Sequence, residues 1–300
     1  MRTNWTGVGT ALVTPFTPDG DLDEPAVRRL ARRQIDAGIH FLVPCGTTGE
    51  SPTMSDAERI RTVEIVVDEA RGQVPVLAGA GGYSTSEVIA LAAGMQRAGA
   101  SGLLSVSPYY NKPTQEGLYR HYKAIADSTP LPIVLYNVQG RTGVNIETST
   151  VLRLSEIPNI VGVKEASGNI SQICDVCHKL PKEFLVICGD DALTLPLMSV
   201  GGCGVISVAS NEVPGAMVQM VEAAERGDFA GALEIHRRLM PLMQVNFVEA
   251  NPIPVKEAMA AMGLLHGVFR LPMCAASAAS KDKIHAVLKE LGLLKPALVQ

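Results

Sequence analysis

Short apolar segments alternate with longer amphipathic segments along most of the chain. Eight of the apolar segments have almost no internal polar residue, and each is followed by small or polar residues. These eight segments are residues 9–13, 41–43, 76–78, 102–106, 133–136, 161–164, 185–188 and 205–208. Continuous apolar segments of this length are typical of strands in a parallel sheet that helices cover. The pattern therefore predicts eight buried strands.

Residues that start and stop helices lie between the apolar segments. Ser55-Asp-Ala-Glu58 has the pattern of a capping box, and Asp23 precedes Pro25 at the start of another amphipathic segment. Gly38 and Gly99 follow amphipathic segments, where a left-handed residue ends a helix. A strand therefore recurs about every 20–35 residues, which is close to the repeat of an eightfold β/α barrel.

The chain is predicted to be an α/β protein, a (β/α)₈ TIM barrel with a C-terminal helical extension. An open doubly wound sheet would usually have a glycine-rich phosphate turn after its first strand, and the first segment here is not followed by one. Residues 213–294 are predicted to be helical, with an interruption at Asn251-Pro-Ile-Pro254. We assign residues 1–225 to the barrel and residues 226–300 to the extension. Since no linker divides them, they should form one functional unit.

Composition and charge narrow the class of protein. The chain has 300 residues, of which 47% are hydrophobic and 19% charged, and its formal net charge is −4. These values indicate a well-buried globular enzyme, and no cluster of lysine and arginine indicates a nucleic-acid partner. Anionic substrates must therefore be held by local groups and not by the overall field.

Apolar segments and cysteines bear on the location of the protein. The first seven residues lack the apolar core of a signal peptide. The longest uncharged stretch, residues 192–211, contains Pro196 and three glycines, which disfavours a membrane span. Six scattered cysteines do not form the framework of a disulfide-rich domain. We therefore expect a cytoplasmic protein without a membrane partner.

Lys164 differs from the other lysines because it closes an apolar strand, Ile160-Val-Gly-Val-Lys-Glu165. Side chains alternate along a strand, so the small residues Gly162 and Ala166 share its face and leave room for a bound molecule. Chemistry in such barrels lies at the carboxyl ends of the strands. Burial disfavours the charged form of a lysine and makes its amine available as a nucleophile. The alternative is a buried lysine paired with a carboxylate.

Two further candidates lie at or just after the end of the preceding strand. Tyr136 ends that strand, and its phenol could transfer protons to and from an intermediate about 3 Å away. The alternative is a tyrosine that anchors the barrel rim through one hydrogen bond. Arg141 follows five residues later and could form a bidentate pair with a substrate carboxylate. The alternative for Arg141 is a surface salt bridge.

Two loops after strands carry other candidate groups. Gly46-Thr-Thr-Gly-Glu-Ser51 has two glycines around two hydroxyls, so its backbone N–H groups, Thr47 and Thr48 could hold a carboxylate. Such a sequence is otherwise a simple turn. Pro108-Tyr-Tyr-Asn111 places adjacent tyrosines on opposite sides of a loop. At most one of them can face the local site, and the other is free to reach a neighbouring subunit.

Cys174-Asp-Val-Cys-His178 matches the pattern of haem attachment. It lies inside a predicted helix, and a zinc site would need a second pair of ligands at suitable spacing. We therefore predict neither a metal nor a cofactor.

The motifs together resemble one family, the dihydrodipicolinate synthases, within the superfamily of pyruvate-dependent class I aldolases and lyases. The resemblance covers nearly the whole chain. The motifs that carry it are Gly46-Thr-Thr-Gly-Glu-Ser51, Ser107-Pro-Tyr-Tyr-Asn111, Tyr136-Asn137, Arg141-Thr-Gly143, Gly162-Val-Lys-Glu165, Cys188-Gly-Asp-Asp191, Gly204-Val-Ile-Ser207 and Asn251-Pro-Ile-Pro-Val-Lys256.

This resemblance implies a reaction and a role for each matching residue. Pyruvate would condense with Lys164, and the enamine would attack L-aspartate-4-semialdehyde to give 4-hydroxy-tetrahydrodipicolinate, in lysine and diaminopimelate biosynthesis. By motif matching, Tyr136, Thr47 and Tyr110 would relay protons, Thr48 would hold the pyruvate carboxylate, Arg141 would hold the semialdehyde carboxylate, and Gly189 and Ile206 would line the pocket through backbone groups. Tyr110 would come from the adjacent subunit of a tight dimer, within a homotetramer.

Two other functions remain open. One is a different pyruvate-dependent aldolase or lyase, such as an N-acetylneuraminate lyase, although such lyases usually differ at Gly-Thr-Thr-Gly-Glu and at the arginine of Arg-Thr-Gly. The other is a barrel that binds a keto acid without turnover. The sequence departs from the family at Gln139-Gly140, where a proline and a small residue are common.

Overall fold

Eight parallel strands form the centre of the computed structural model, which describes residues 5–294. The strands are β1 (Gly7–Ala11), β2 (Phe41–Val43), β3 (Leu77–Gly79), β4 (Gly102–Val106), β5 (Ile133–Asn137), β6 (Ile160–Glu165), β7 (Leu185–Cys188) and β8 (Gly204–Ser207). They pair in the order β2-β1-β8-β7-β6-β5-β4-β3, and a parallel bridge between Leu42 and Val76 joins the two ends of the sheet. The predicted (β/α)₈ TIM barrel is confirmed.

Helices follow the strands and cover the outside of the barrel. They are α1 (Glu24–Asp36), α2 (Asp56–Ala70), α3 (Thr85–Arg97), α4 (Gln115–Ser128), α5 (Gln139–Thr142), α6 (Thr148–Ser155), α7 (Ile170–Lys179), α8 (Thr194–Ser199), α9 (Pro214–Glu225), α10 (Phe229–Val245), α11 (Ile253–Ala261) and α12 (Ala278–Glu290). Within residues 5–294, no helix is both long enough and apolar enough to cross a membrane.

The helix ends follow the local sequence signals. Ser55 and Glu58 form the predicted capping box at the start of α2. The Asp23 side chain accepts a hydrogen bond from the backbone N–H of Ala26 in the first turn of α1. Gly38 and Gly99 have φ angles of +84° and +86°, as the predicted helix ends require. These predictions are confirmed. They could be made from the sequence because capping depends on neighbours within a few residues.

The strand boundaries depart from the predictions by one or two residues. β1 begins at Gly7 and not at residue 9, because Gly7 donates its N–H to the Cys203 carbonyl, 2.8 Å away, and pairs with Gly204. β3, β5, β6 and β8 each start or end one residue away from the prediction. These differences arise from pairing partners that are distant in sequence.

Aromatic side chains fill the amino end of the barrel. A Cβ on Gly102 would lie 1.8 Å from the Trp5 ring, and a Cβ on Gly9 would lie 2.1 Å from the Phe41 ring. Both strands therefore need glycine at these positions, because interiors are packed without spare volume. Since the amino end is filled, a cavity in the barrel can open only at the carboxyl end.

The C-terminal region differs from the prediction of continuous helices with one break. The interruption near Asn251 is present before α11, but residues 263–276 are also irregular. This second irregular segment contains Gly263, Gly267 and Pro272, which disfavour a helix. The division at residues 225 and 226 remains a prediction, and residues 1–4 and 295–300 lie outside the described residues.

Candidate active site

Lys164 lies near the carboxyl end of β6, inside the barrel. It pairs with Tyr136 of β5 and Ile187 of β7, and only 6% of its surface is exposed. Its Nζ atom lies 4.3 Å from the centre of the Tyr136 ring. Within residues 5–294, all lysine–carboxylate contacts below 4.0 Å involve other lysines. Lys164 is therefore buried without an ionic partner in the described chain.

A cavity of about 260 Å³ opens at this end of the barrel. Its lining brings together three of the predicted residues, Thr47, Tyr136 and Arg141. Lys164 is not part of the lining, but its Nζ lies 4.3 Å from the centre of the ring of Tyr136, which is part of it. Predicted residues from two separate parts of the sequence, the loop after β2 and the segment from Tyr136 to Arg141, thus meet at one opening.

Gly189 lies against the lysine side chain, and neither Gly189 nor Ile206 is part of the cavity lining. A Cβ on Gly189 would lie 2.9 Å from Cε of Lys164, so glycine leaves the space that the lysine side chain occupies. Ile206 is 1% exposed and belongs to the same interior cluster as Tyr136 and Ile187. Gly189 thus makes room for the lysine, and Ile206 packs in the cluster that holds the tyrosine.

The loop over residues 46–51 is held in a tight turn. Gly49 donates its N–H to the Gly46 carbonyl at 3.1 Å, and the Thr14 hydroxyl donates to the Gly49 carbonyl at 2.7 Å. The N–H groups of Thr47 and Thr48 have no acceptor among residues 5–294. Unpaired N–H groups at a turn can hold an anion, as the sequence predicted for this loop.

Arg141 lies at the mouth of the cavity on the short helix α5. Its guanidinium donates to the backbone carbonyl of Asn251 at 3.0 Å. No carboxylate in the described chain forms an ion pair with it, in contrast to many arginines on the surface. Gln139 and Gly140 form the first turn of α5, and Gly143 ends it with a φ of +70°. The loop thus adopts a defined turn without the proline that is common in the family.

The two adjacent tyrosines take opposite directions, as predicted. Tyr109 lines the cavity and packs edge-to-face on Tyr83, with 5.3 Å between the ring centres. Tyr110 is 93% exposed and has a left-handed φ of +67°. In a single chain, therefore, Tyr110 does not meet the other predicted site residues.

The sequence predictions missed a second buried lysine beside the site. Lys256 of α11 is fully buried and forms an ion pair with Glu50, which lines the cavity. Its Nζ also lies 4.5 Å from the centre of the Phe16 ring and 5.0 Å from that of Phe269. Burial lowers the pKa of Lys256, and Glu50 opposes that change. Lys256 has the carboxylate partner that Lys164 lacks.

Asn251, Pro272 and Met273 also line the cavity and were not predicted as site residues. The Asn251 side-chain amide donates to the Thr48 hydroxyl oxygen at 3.0 Å. The motif Asn251-Pro-Ile-Pro254 was the only signal for this region, and it does not reveal which strand the segment approaches.

Two of the six cysteines lie together on one helix, and a third lines the cavity. Cys174, Cys177 and His178 lie on α7, as the prediction of a helix there requires. All six cysteines are free thiols. Cys45 lines the cavity, but burial raises the pKa of its thiol to about 12, which disfavours the thiolate. No group of three or more metal-binding side chains occurs in residues 5–294.

The fold and the site define a class, that of (β/α)₈ barrels with a buried, unpaired lysine beside a tyrosine at the carboxyl end of the strands. Comparison with known proteins gives the family within that class. The sequence model of the dihydrodipicolinate synthetase family matches residues 4–291, and the chain belongs to this family.

Individual relatives agree with the family assignment. The chain is 50% identical over 296 residues to the 4-hydroxy-tetrahydrodipicolinate synthase of Chloroherpeton thalassium, with 98% of each chain covered. It is similar to the crystal structure of dihydrodipicolinate synthase from Aquifex aeolicus, with a TM-score of 0.95, 43% identity, and 97% and 100% of the two chains covered. It is also similar to the chloride-inhibited synthase from Acinetobacter baumannii complexed with pyruvate, with a TM-score of 0.95, 39% identity, and 97% and 100% covered.

Proposed function

We propose that the chain condenses pyruvate with L-aspartate-4-semialdehyde to form 4-hydroxy-tetrahydrodipicolinate, in lysine and diaminopimelate biosynthesis. The observation that carries this proposal is Lys164, buried at the carboxyl end of the barrel, unpaired in the described chain and in contact with the Tyr136 ring. Relatives that are about 50% identical to this chain and are known as 4-hydroxy-tetrahydrodipicolinate synthases support it, as does a similar synthase complexed with pyruvate.

The reaction begins at the amine of Lys164. Its Nζ attacks C2 of pyruvate, and loss of water from the carbinolamine leaves an imine. Loss of a proton from C3 gives an enamine, and C3 then attacks the aldehyde carbon of the second substrate, whose oxygen is protonated to a hydroxyl. The amino group of that substrate displaces Nζ from C2, which closes the ring and frees the lysine. One molecule of water is released in total.

Proton transfer is assigned to three hydroxyl groups. Tyr136 and Thr47 both line the cavity, and Tyr136 is next to the reacting amine. We assign the third hydroxyl to Tyr110 of an adjacent subunit, since this side chain is almost fully exposed in the single chain. The proposed assembly is a homotetramer of two tight dimers, in the cytoplasm. Positioned groups of this kind contribute about 10²–10⁴-fold to rate.

The two substrate carboxylates are assigned to different sides of the cavity. Thr48 and the unpaired N–H groups of its loop would hold the pyruvate carboxylate. Arg141 at the mouth would hold the carboxylate of the semialdehyde, because a guanidinium binds a carboxylate through two parallel hydrogen bonds. Gly189 and Ile206 would line the pocket through backbone groups, with Gly189 beside Lys164.

Reduction of the imine tests the proposal directly. The protein is incubated with pyruvate and borohydride, digested, and analysed by peptide mass mapping. We expect the adduct on the peptide that contains Lys164 and its loss in Lys164→Ala. Lys123→Ala is the matched control, since Lys123 forms a surface ion pair with Asp127. An adduct on Lys256, or none at all, would overturn the assignment of the nucleophile.

The second substrate distinguishes the remaining functions. Product should form from pyruvate and aspartate semialdehyde and not from pyruvate and N-acetylmannosamine. The reverse result would assign the chain to the sugar-acid lyases. Trapping of pyruvate without product from either aldehyde would identify a keto-acid-binding protein and refute the proposed condensation.

A further inference from the structure

Asn251 contacts both of the side chains that are assigned to substrate carboxylates. Its side-chain Nδ2 donates to Oγ1 of Thr48 at 3.0 Å, and its backbone carbonyl accepts from the guanidinium of Arg141 at 3.0 Å. Asn251 itself is 5% exposed and lines the cavity. A single residue before α11 therefore connects the buried Thr48 with Arg141 at the mouth of the cavity, two residues that are far apart in sequence.

The direction of the hydrogen bond to Thr48 has a chemical consequence. A hydroxyl has one hydrogen to donate and lone pairs that accept. Because Asn251 donates to the Thr48 oxygen, the Thr48 hydrogen does not point to Asn251 and is available for another acceptor. A carboxylate only accepts hydrogen bonds. The amide thus leaves Thr48 in the donor state that a bound carboxylate requires.

Holding the side-chain amide of Asn251 in this direction costs free energy. Its Oδ1 atom is buried and has no hydrogen-bond donor among residues 5–294. Buried acceptors are usually paired, and an unpaired one calls for an explanation. The nearby ion pair between Lys256 and Glu50 fixes α11 against the same loop, so the start of α11 cannot easily move away from Thr48.

We propose that Asn251 is a positioning residue that presents Thr48 as a hydrogen-bond donor to the pyruvate carboxylate and fixes Arg141 through its backbone carbonyl. The inference rests on the proposed function, because it assigns the two carboxylates as above. The side chain and the backbone carbonyl of Asn251 have separate effects. The side chain acts on pyruvate through Thr48, whereas the carbonyl that holds Arg141 is present with any residue at position 251.

Substitutions at position 251 test this separation in the full-length protein. Asn251→Ala removes the donor, and Asn251→Asp keeps the shape but replaces the donor with an acceptor that takes the Thr48 hydrogen. We expect the KM for pyruvate to rise about 10-fold in Asn251→Ala, because one hydrogen bond is worth about that factor. A larger rise, about 10²-fold, is expected in Asn251→Asp, since a buried carboxylate also repels the substrate. The KM for the semialdehyde should change less than about 2-fold in Asn251→Ala.

A double-mutant cycle distinguishes positioning from general damage to the site. In a Thr48→Val background, Asn251→Ala should leave the KM for pyruvate unchanged, because the hydroxyl that it orients is gone. An equal effect in both backgrounds would overturn the inference. It would also be overturned if Asn251→Asp bound pyruvate as the parent does, or if both KM values rose together in Asn251→Ala.

Pyruvate trapping keeps this inference distinct from the proposed function. If the parent protein forms no imine on Lys164, the proposed site fails and the inference fails with it. If the parent traps pyruvate and the Asn251 variants trap it equally well at low pyruvate concentration, only the inference fails.

Discussion

Replacing Gly189 with alanine should slow formation of the imine without unfolding the protein. The new Cβ would lie 2.6 Å from Cβ of Ala166 and 2.9 Å from Cε of Lys164. Carbon atoms in contact prefer separations of about 3.5–4.0 Å, so the lysine must retreat by about 0.6 Å and Ala166 by about 0.9 Å. The backbone cannot easily relieve this contact, because Gly189 donates its N–H to the Glu165 carbonyl at 2.8 Å.

The displacement acts on the atom next to the nucleophile. A misplacement of about 1 Å can cost about 10²-fold in rate, so we expect imine formation to slow by about 10–10²-fold. Overpacking of this kind destabilises by about 1–3 kcal/mol, which a protein of ordinary stability can tolerate. The variant should therefore fold, with a lowered Tm, and react slowly.

The assay is the rate of reductive trapping with saturating pyruvate, together with thermal unfolding of the same preparation. Gly215→Ala is the matched control, because a Cβ there meets no atom within 4 Å and the residue lies on α9, far along the chain from the site. That control should trap pyruvate at the parent rate. If Gly189→Ala also trapped pyruvate at the parent rate, the amine would not occupy the packed position on which the assignment depends.

Three further predictions concern Tyr136, the ion pair between Glu50 and Lys256, and Glu212. Tyr136→Phe keeps the ring against Lys164 but removes the phenol, so kcat should fall by about 10²-fold or more while the adduct still forms; an unchanged kcat would exclude Tyr136 from proton transfer. Glu50→Gln or Lys256→Met alone should lower the free energy of unfolding by about 3–5 kcal/mol in denaturant titrations, since each leaves a buried charge unpaired. The double variant should recover much of this loss. A loss in the double variant equal to the sum of the two single losses would contradict the prediction. Burial, with Asp191 nearby, raises the pKa of Glu212 well above its usual range, so the folded state holds a proton that the unfolded chain has lost. Stability from this group is thus present below about pH 4 and declines as the pH rises towards the raised pKa. Glu212→Gln should therefore flatten the dependence of Tm on pH above about 5. Parallel curves of Tm against pH for the parent and the variant would argue against this prediction.

The sequence by itself determined the barrel and the order of its elements, and it singled out Lys164 as the candidate nucleophile. Apolar strands and helix caps are local patterns, so they could be read without knowledge of the partners. Lys164 was identifiable because a lysine at the end of an apolar strand is unusual. Its nearness to Tyr136 could be expected because consecutive strands of such a barrel are neighbours, and the structure pairs the two residues directly.

Only the tertiary structure decided how the remaining parts of the chain complete the site. Asn251 meets Thr48 across 203 residues, and Lys256 meets Glu50 across 206, so no local pattern could assign either pair. The irregular segment that brings Pro272 and Met273 to the cavity was predicted to be helical. That prediction was wrong because the other residues that line the cavity are distant in sequence. Local propensity fixes where an element begins, whereas contacts between distant residues depend on how the closed barrel and its C-terminal helices pack. That packing also distinguishes the two buried lysines, because it gives a carboxylate to Lys256 and places the Tyr136 ring beside the amine of Lys164.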